Sequence, residues 1–573
     1  MAEEFDLIVS GGEIADGSGG ALYIADIAIR DGRIAAIGSD LGSARETIDA
    51  NGRLVTPGFV DVHTHYDGQA IWSQHLSPSS SHGVTTVVVG NCGVGFAPCR
   101  KEDQELLIKV MEGVEDIPGV VMAKGLDWNW ESFPDYLDAL DAGERDIDVA
   151  AYLPHSPLRV FAMGARGAAR EDATDTDLAA MRALAREAID AGAIGFSTSR
   201  LNIHRTADGG KIPSFEAPVD ELKAIAMGMA DAGSGTLQMV LDAPYREWVD
   251  EVSKLVDVAE ATGRPATFSM IAANNDGAKW RDAFGLVEAA NARGGRVTAQ
   301  VLPRPIGLLS GLELSINPFV LCPSYAAIAD LPLTEKLAAM RDPAMRERLL
   351  AEEMDEGHPL AQLGRMWRWM YPLGDPPNYA PTPDESIYNR AQAAGVTPEA
   401  WAYDYLIAGD GRNLILGALA NFPDGRIDDL EEMLRHPDAI IGLGDGGAHY
   451  GAICDASYPT FLLTHWVRKL GKLSVPEAIE ILAAKPARAL GLHDRGTIAV
   501  GAKADLNILD LDRMHLPAPH IARDLPGGGR RLDQAAAGYD ATIVSGQVIR
   551  RFDEATGALP GKLIRGGRQA LAA

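Results

Sequence analysis

The chain has 573 residues, of which 46% are hydrophobic and 23% are charged, and its formal net charge is −28. This composition supplies a large apolar core and excludes a disordered chain, while the acidic balance without a basic run argues against nucleic-acid and anionic-membrane partners. Its four cysteines are too few and too scattered for a disulfide framework. No apolar run reaches bilayer-spanning length, and the first residues lack a cationic apolar leader. We therefore expect a cytoplasmic protein.

Both ends of the chain carry strand-like segments separated by glycines. In residues 1–56, alternating apolar positions flank the pair Asp31-Gly32. Both residue types tolerate positive φ, so this pair predicts a hairpin turn. A similar pattern returns in residues 494–573. We predict one small β-sandwich domain that is formed by the two termini together.

The middle of the chain, residues 57–493, alternates apolar strand-like runs with amphipathic helical patterns. Residues 174–191 and 219–232, for example, have apolar positions at helical spacing and acidic first turns. Eight strands that alternate with helices are typical of an α/β fold of the TIM type, a (β/α)8 barrel. The predicted strands are 59–63, 84–90, 148–153, 193–198, 235–240, 265–270, 296–301 and 439–444.

A large insertion, residues 302–438, separates the seventh predicted strand from the eighth. It is too long for a single crossover connection. Part of it, residues 364–390, is rich in Trp, Tyr, Pro and Arg, and helical patterns follow. Because the insertion emerges just before the eighth strand, we predict that it lies over the mouth of the barrel and shapes a substrate pocket. A structural or oligomerisation role is the alternative.

Candidate chemistry begins in the segment PGFVDVHTHYD, where an apolar run ends in His63 and His65. Side chains two positions apart leave the same face of a strand, so both imidazoles should point at one spot and suit a divalent metal. Cys92 closes the second predicted strand and Asp445 closes the eighth. All four groups are therefore expected at carboxyl ends of strands, where barrel enzymes keep their chemistry.

Several motifs together, HTHYD, GNCG, GLGDGGAH and KADLNILD, resemble the amidohydrolase superfamily and most closely its N-acyl-D-amino-acid deacylase (D-aminoacylase) family. The resemblance covers nearly the whole chain, except much of the insertion. It implies a barrel with a β-sandwich from both termini, and hydrolysis of a linear amide by water activated at a metal. It also implies that His63, His65 and Cys92 bind metal, and that Asp445 is the catalytic acid and base.

Two positions depart from the family pattern. The family places further metal-binding histidines on the fifth and sixth strands, where this chain has Gln238 and Met270. Neither residue is a usual zinc ligand, so the family's standard site cannot form. A site for one divalent ion (zinc, manganese or iron) remains, made by the paired histidines with Asp445 and with Cys92 as a fourth ligand. A metal-free site, with the histidines as general acid and base, is the alternative.

The substrate implied by the family carries a carboxylate, which a guanidinium binds well through paired hydrogen bonds. Arg159 follows the third predicted strand, and Arg200 follows the fourth. His155 and His449 also lie near strand ends and are candidates for the same pocket. We expect a small-molecule substrate with a carboxylate, and a homo-oligomer is compatible with the sequence.

Three other functions stay open. The bond cleaved could belong to another amide, a carbamate, an ester or a lactone. A non-hydrolytic lyase or decarboxylase that uses one metal is a second alternative. The third is an inactive scaffold, against which stands the joint presence of His63, His65, Cys92 and Asp445, since a scaffold needs none of them.

Overall fold

The computed structural model describes residues 4–275, 277–352 and 366–566. In this part of the chain, eight parallel strands form one sheet in which each strand lies beside its neighbour in sequence. This is the predicted (β/α)8 barrel. The strands are Phe59–Asp61, Val84–Val89, Asp148–Pro154, Gly195–Ser199, Thr236–Val240, Ala266–Ser269, Val297–Val301 and Ala439–Ile441.

The first and eighth strands meet beyond their ends. The backbone N–H of Asp445 donates to the carbonyl of His63 at 3.1 Å, and that of His65 donates to the carbonyl of Gly446 at 2.8 Å. Both strands end earlier than the sequence predicted. In the first, the N–H of His63 turns to the carboxylate of Asp61 at 3.1 Å. The carboxyl end of the barrel is thus joined by the chain segments that carry the candidate site.

Helices surround the barrel, and several begin at a capping side chain or a proline. Asp175–Ala191, for instance, starts with a reciprocal capping box between Thr174 and Asp177. In the described residues outside the insertion, the α-helices of at least seven residues are Gln104–Glu115, Gly119–Gly125, Phe133–Ala142, His155–Met163, Asp175–Ala191, Val219–Ala232, Trp248–Thr262 and Trp280–Ala292. None of the described helices combines the length and apolar character required to cross a bilayer.

Short α-helices, 3₁₀ turns and π-helical segments complete the connections between strands. Four of these segments lie between the first and fourth strands, and the other five follow the eighth strand. They are Gln69–Trp72, Ser79–His82, Asn91–Gly93, Ala165–Ala168, Tyr458–Phe461, Leu462–Lys469, Val475–Ile479, Glu480–Ala484 and Lys485–Ala489.

Both termini build one β-rich module. Leu54–Pro57 pairs antiparallel with Leu506–Leu509, which joins the two chain ends in a nine-stranded sheet. Asp31 and Gly32 have φ of 50° and 72° and form the predicted hairpin turn. The other strands are Phe5–Ile14, Tyr23–Arg30, Arg33–Gly38, Ala44–Asp49, Tyr539–Val544, Gln547–Arg551 and Glu554–Ala555, and a separate ribbon pairs His520–Leu525 with Gly529–Asp533. The exact domain limits 1–56, 57–493 and 494–573 stay a prediction.

The insertion 302–438 has its own apolar core and packs against the carboxyl end of the barrel; its residues 353–365 lie outside the described part. The N–H of Leu309 donates to the carbonyl of Ala452, in the loop after the eighth strand, at 2.6 Å. The sequence did not predict its three antiparallel strands. Its elements are Ile306–Ser310, Pro323–Ala326, Leu333–Met340, Pro343–Ala351, Met370–Pro372, Ile387–Ala394, Pro398–Leu406, Ile415–Ala420 and Asp428–Arg435.

Candidate metal centre and active site

The two histidines after the first strand are fixed by neighbours on both sides. Between them, Thr64 donates from its backbone N–H and its hydroxyl to the carbonyl of Val88 in the second strand, at 3.0 and 2.7 Å. The N–H of His65 binds the loop after the eighth strand, as described above. Both side chains are buried, with 2% and 1% exposure for His63 and His65. The backbone therefore orients the imidazoles before any ligand arrives.

Cys92 faces the histidines from the turn that ends the second strand. Its backbone has a φ of 57°, which turns the chain sharply between Asn91 and Gly93. The Sγ of Cys92 lies 3.3 Å from Nε2 of His63 and 3.7 Å from Nε2 of His65. The three ligand atoms lie within 4.8 Å of one another. The structure thus brings together the imidazoles and the thiol that the sequence singled out.

The hydrogen bond on the far side of His63 decides which ring nitrogen faces the cluster. Its Nδ1 lies 2.7 Å from Oε1 of Gln300, in the seventh strand. A carbonyl oxygen only accepts, so Nδ1 carries the proton and Nε2 presents a lone pair to Cys92. Sequence analysis missed Gln300, although an amide side chain in a mostly apolar strand was a usable signal.

Asp445 completes the cluster from the loop after the eighth strand. Its Oδ1 lies 3.6 Å from Nε2 of His63 and 3.8 Å from Nε2 of His65. The residue has a φ of 48°, a region that non-glycine residues seldom occupy. Its side chain is 21% exposed, so it reaches both the imidazoles and an approaching substrate.

Glu115 is a further carboxylate at the site. It ends the helix Gln104–Glu115 and is 1% exposed. Its Oε2 lies 3.4 Å from Nε2 of His65 and 3.5 Å from Nε2 of His449, while its Oε1 has no hydrogen-bond partner among the described residues. Sequence analysis did not identify it. An acidic residue at a helix C-terminus, where the macrodipole disfavours it, was the available signal.

Burial controls the protonation of the whole cluster. It lowers the pKa of His63 to about 4 and holds the pKa of His65 well below its ordinary value. It raises the pKa of Asp445 to about 7 and shifts the pKa of Cys92 and of Glu115 well upward. The imidazoles are therefore neutral near pH 7 and keep the lone pairs that a metal needs. A bound cation would reverse the penalty on the thiolate and carboxylates.

Gln238 and Met270 lie where the sequence placed them, in the fifth strand and directly after the sixth. The Oε1 of Gln238 accepts from the N–H of Cys92 at 3.2 Å, and so supports the turn that carries the thiol. Met270 is fully buried, and its N–H donates to the carbonyl of Gln300 at 2.9 Å. The amide of Gln238 thus orients a candidate ligand, and Met270 belongs to the core.

His155 and Arg159, the candidate substrate contacts after the third strand, both form hydrogen bonds to the buried carboxylate of Glu221. Nε2 of His155 and Nε of Arg159 lie 2.9 and 2.8 Å from the same oxygen of Glu221. The other guanidinium nitrogens of Arg159 donate to backbone carbonyls, including that of Gly167 at 3.1 Å. These bonds account for the charge of Arg159 within the protein, and the substrate contact of both residues stays a prediction.

The candidates after the fourth strand and in the eighth loop differ in their surroundings. Nε of Arg200 donates to Glu251 at 3.0 Å, and the side chain is largely buried. His449 instead reaches the cluster through Glu115 and is 24% exposed at its side chain. His204 bonds Ser199 at 2.8 Å, and burial and the nearby imidazole of His449 lower its pKa to about 3. His449 therefore stands beside the metal candidates, whereas Arg200 is bound within the scaffold.

The donor set fits a zinc-type ion. Zn–N bonds of about 2.0–2.1 Å and Zn–S bonds of about 2.3 Å place neighbouring tetrahedral donors roughly 3.3–3.7 Å apart. The separations of Sγ of Cys92 from the two Nε2 atoms, 3.3 and 3.7 Å, fall in that range. Imidazole and thiolate together suit zinc better than calcium or magnesium.

Comparison with known sequences decides the family. The family model described as "Amidohydrolase family" matches residues 46–550. The chain belongs to the amidohydrolase family. Membership supports a hydrolase acting on carbon–nitrogen bonds, and the carboxyl-end site has the donors that a divalent metal requires.

Among the relatives of this amidohydrolase are deacylases of N-acyl-D-amino acids. It is 29% identical to N-acyl-D-glutamate deacylase of Alcaligenes xylosoxydans xylosoxydans over 579 residues, which cover 99% of this chain and 97% of that protein. It is 39% identical to D-aminoacylase of the same organism over 198 residues, or 34% of this chain and 38% of that protein. The resemblance to this family is thereby confirmed.

A solved structure supports the same architecture. The N-acyl-D-glutamate deacylase of Bordetella bronchiseptica, complexed with zinc and a phosphonate mimic of the tetrahedral intermediate, superposes with a TM-score of 0.65 at 24% identity. The match covers 98% of this chain and 100% of that one. At this identity the likeness establishes the fold, a barrel with a β-rich domain.

Proposed function

We propose that this amidohydrolase hydrolyses the amide bond of an N-acyl-D-amino acid with one divalent metal ion. His63, His65 and Cys92 hold the ion, and Asp445 is the proton carrier and further ligand. The observation that carries the proposal is the convergence of these four groups at the carboxyl end of the barrel, with both Nε2 atoms within 3.8 Å of Asp445.

The metal and the chain have separate tasks. A bound zinc ion supplies Lewis acidity, which activates water and polarises the scissile carbonyl. The chain presents Nε2 of His63 as a ligand, because Gln300 fixes the proton on Nδ1 at 2.7 Å. Manganese or iron would be held by the same donors. One ion per chain follows from the residues Gln238 and Met270, which are not usual zinc ligands.

Asp445 carries the proton in the proposed reaction. As a carboxylate beside the imidazoles, it takes a proton from the attacking water and returns it to the leaving nitrogen. Burial raises the pKa of Asp445 to about 7, so in the protein alone it exchanges a proton readily near neutral pH. The exposed part of its side chain gives the substrate access to the oxygen that receives the proton.

The proposed substrate class, N-acyl-D-amino acids, is supported by the deacylase relatives and by the expectation that the substrate carries a carboxylate. The curated relatives are named for N-acyl-D-glutamate and for D-aminoacylase activity. Among the predicted substrate contacts, His449 is the one that adjoins the metal candidates. Arg159, Arg200 and His155 would have to exchange their internal partners to bind a substrate. A cytoplasmic location completes the proposal.

The decisive experiment measures metal and activity together. Protein purified without chelator should contain about one zinc, manganese or iron per chain and should release the amino acid from N-acyl-D-amino acids. The double variant His63→Ala/His65→Ala should lose bound metal and activity in parallel, because it removes two of the proposed ligands.

The exposed pair His515→Ala/His520→Ala is the matched control, since both histidines are exposed in the C-terminal module and neither belongs to the group of metal candidates. It should keep metal and activity. Unchanged metal content in the His63/His65 variant would refute the assigned ligands. Full metal content without hydrolysis of N-acyl-D-amino acids, and with turnover of carbamates or lactones, would replace the proposed substrate.

A further inference from the structure

A second cavity lies at the end of the barrel opposite the candidate active site. It has a volume of about 720 Å³. Ile194, Gly235, Pro265, Arg296 and Asp438 line it, and each directly precedes one of the last five barrel strands. The volume is within the roughly 300–1,000 Å³ of small-molecule pockets. The cavity is therefore formed by the amino ends of these strands and is separate from the metal candidates.

The lining of this cavity is basic, although the chain as a whole has a net charge of −28. One carboxylate is found among its described lining residues, that of Asp438, and it accepts from the amide of Asn291 at 2.9 Å. The basic lining residues are Arg264, Arg296, Lys485, Arg488 and Arg565, with His493 beside them. Such a concentration of positive charge is not expected of an acidic surface and requires a counter-charge.

Some of these cations already have internal partners. Arg488 lies 2.8 Å from Glu480, and Arg565 lies 2.6 Å from Asp138. Arg264 donates from Nε and Nη1 to the carbonyls of Gly235 and Gly233, at 3.1 and 2.9 Å. Carbonyl oxygens orient this guanidinium without neutralising it.

Two cations have no ion pair or side-chain hydrogen bond among the described residues, those of Arg296 and Lys485. Each also has a positive neighbour. Burial and the charge of Arg296 lower the pKa of Arg264. Burial also lowers the pKa of Lys485; the carboxylate of Glu480 opposes this decrease, and the charge of Arg488 adds to it. Like charges are held close together here, so an anion between them would relieve the repulsion.

We propose that this cavity, the amino-end cavity, binds a small molecule that carries several oxyanion charges. Arg296 and Lys485 provide the free charges, and Arg264 provides an oriented guanidinium. No Phe, Tyr or Trp is among the described lining residues, so there is no platform for a nucleobase or another flat ring. A compact diphosphate or tricarboxylate has the required chemistry.

The test is calorimetric titration of the full chain with pyrophosphate and, separately, with citrate. Wild-type protein should bind at least one of them, more weakly at higher ionic strength. The variant Arg296→Gln/Lys485→Gln should weaken binding at least about tenfold, because each change removes one charge-assisted contact. Tighter binding of pyrophosphate identifies a phosphate ligand, and tighter binding of citrate identifies a carboxylate ligand.

The matched control is Arg293→Gln/Lys279→Gln, which removes the same charge from exposed residues outside the cavity. Arg293 pairs with Glu260 and Lys279 with Glu247. Both anions can also bind a metal ion in the active site. The control variant keeps the metal candidates, so any heat from that binding appears equally in the control. Equal affinity in the two double variants, with thermal midpoints like that of wild type, would overturn the proposal. So would the absence of binding of both anions to wild type.

Discussion

The backbone N–H of Asp445 donates to the carbonyl of His63 at 3.1 Å, and among the described residues no side-chain hydrogen bond holds its carboxylate, so its replacement is informative. Asp445→Asn keeps the shape but removes the proton carrier. We expect kcat to fall by roughly 10²- to 10⁴-fold, the usual contribution of general acid–base catalysis, while substrate binding is retained. Steady-state kinetics together with binding of unreacted substrate measure both quantities.

Asp438→Asn is the control for this change. Asp438 lies directly before the eighth strand, whereas Asp445 lies after it, and the Asp438 carboxylate accepts a hydrogen bond from Asn291. It should retain full activity. If Asp445→Asn also remained fully active, Asp445 would have no place in the mechanism.

Glu115 tests whether a buried carboxylate next to a ligand tunes the metal. Glu115→Gln removes the carboxyl group whose Oε2 lies 3.4 Å from Nε2 of His65 and 3.5 Å from Nε2 of His449. Groups that orient metal ligands typically contribute about 10- to 100-fold to metal affinity or activity. We expect a loss of that size in zinc affinity, measured by competition with a chromogenic chelator.

Glu112→Gln, on the same helix, is the control because Glu112 binds the N–H of Gly119 at 2.9 Å and not a histidine. It should leave zinc affinity unchanged. Equal zinc affinity in both variants would limit Glu115 to a role in folding.

At the scale of elements, the loop after the eighth strand determines how closely the first strand can approach it. Gly447 has a φ of +86°, and a Cβ there would lie 2.8 Å from the backbone carbonyl carbon and oxygen of His65. An alanine at this position must therefore move the segment that carries the histidine ligands. A change in the conformation of this loop would therefore change the positions of the histidine ligands.

We expect Gly447→Ala to destabilise the protein by more than the roughly 1–2 kcal/mol that positive φ alone costs an L-residue. It should also reduce the bound metal. Gly471→Ala is the control, since Gly471 has a φ of +59° and a Cβ there would meet nothing within 4 Å. Chemical denaturation and metal content measure the two effects. Equal losses in the two variants would show that the contact with His65 does not constrain the site.

The barrel elements could be predicted because their signals are local. The seventh strand, VTAQV, and the helix Asp175–Ala191 each carry their apolar spacing and boundaries within a few residues. The strands of the insertion were missed because Ile415–Ala420 is paired with segments more than 40 residues away, and no short window records such pairing.

For the whole molecule, a buried ion cluster joins the β-rich module to the amino end of the barrel. Nη1 of Arg495 lies 2.6 Å from Asp148, which begins the third strand. Nζ of Lys503 lies 2.9 Å from Asp148 and 2.6 Å from Asp505, which directly precedes a strand of the terminal sheet. The two parts of the chain therefore share buried charges that depend on each other.

We expect Arg495→Ala to lower the free energy of unfolding by about 3–5 kcal/mol, because it leaves the buried Asp148 with an incomplete set of partners. Arg346→Ala breaks an exposed pair with Asp404 and should cost at most about 1 kcal/mol. Urea denaturation compares the two variants. A similar small loss in both would mean that the cluster does not hold the module on the barrel.

The sequence by itself determined the barrel, the β-rich module from both termini, and the segments that carry His63, His65, Cys92 and Asp445. These features follow from spacing and turn chemistry within short stretches, and from motifs that resemble a family. Family membership was likewise present in the sequence, since it depends on the order of those motifs.

Only the tertiary structure decided which distant side chains share the site. Glu115 and Gln300 are 185 positions apart in the sequence and come from a helix and a strand, yet each contacts one of the two histidines that follow the first strand. It also showed that Glu221 and Glu251 engage Arg159 and Arg200 inside the scaffold. Local patterns fix each element, but barrel closure fixes the contacts between elements, because each buried polar group binds whichever partner the packing brings within reach.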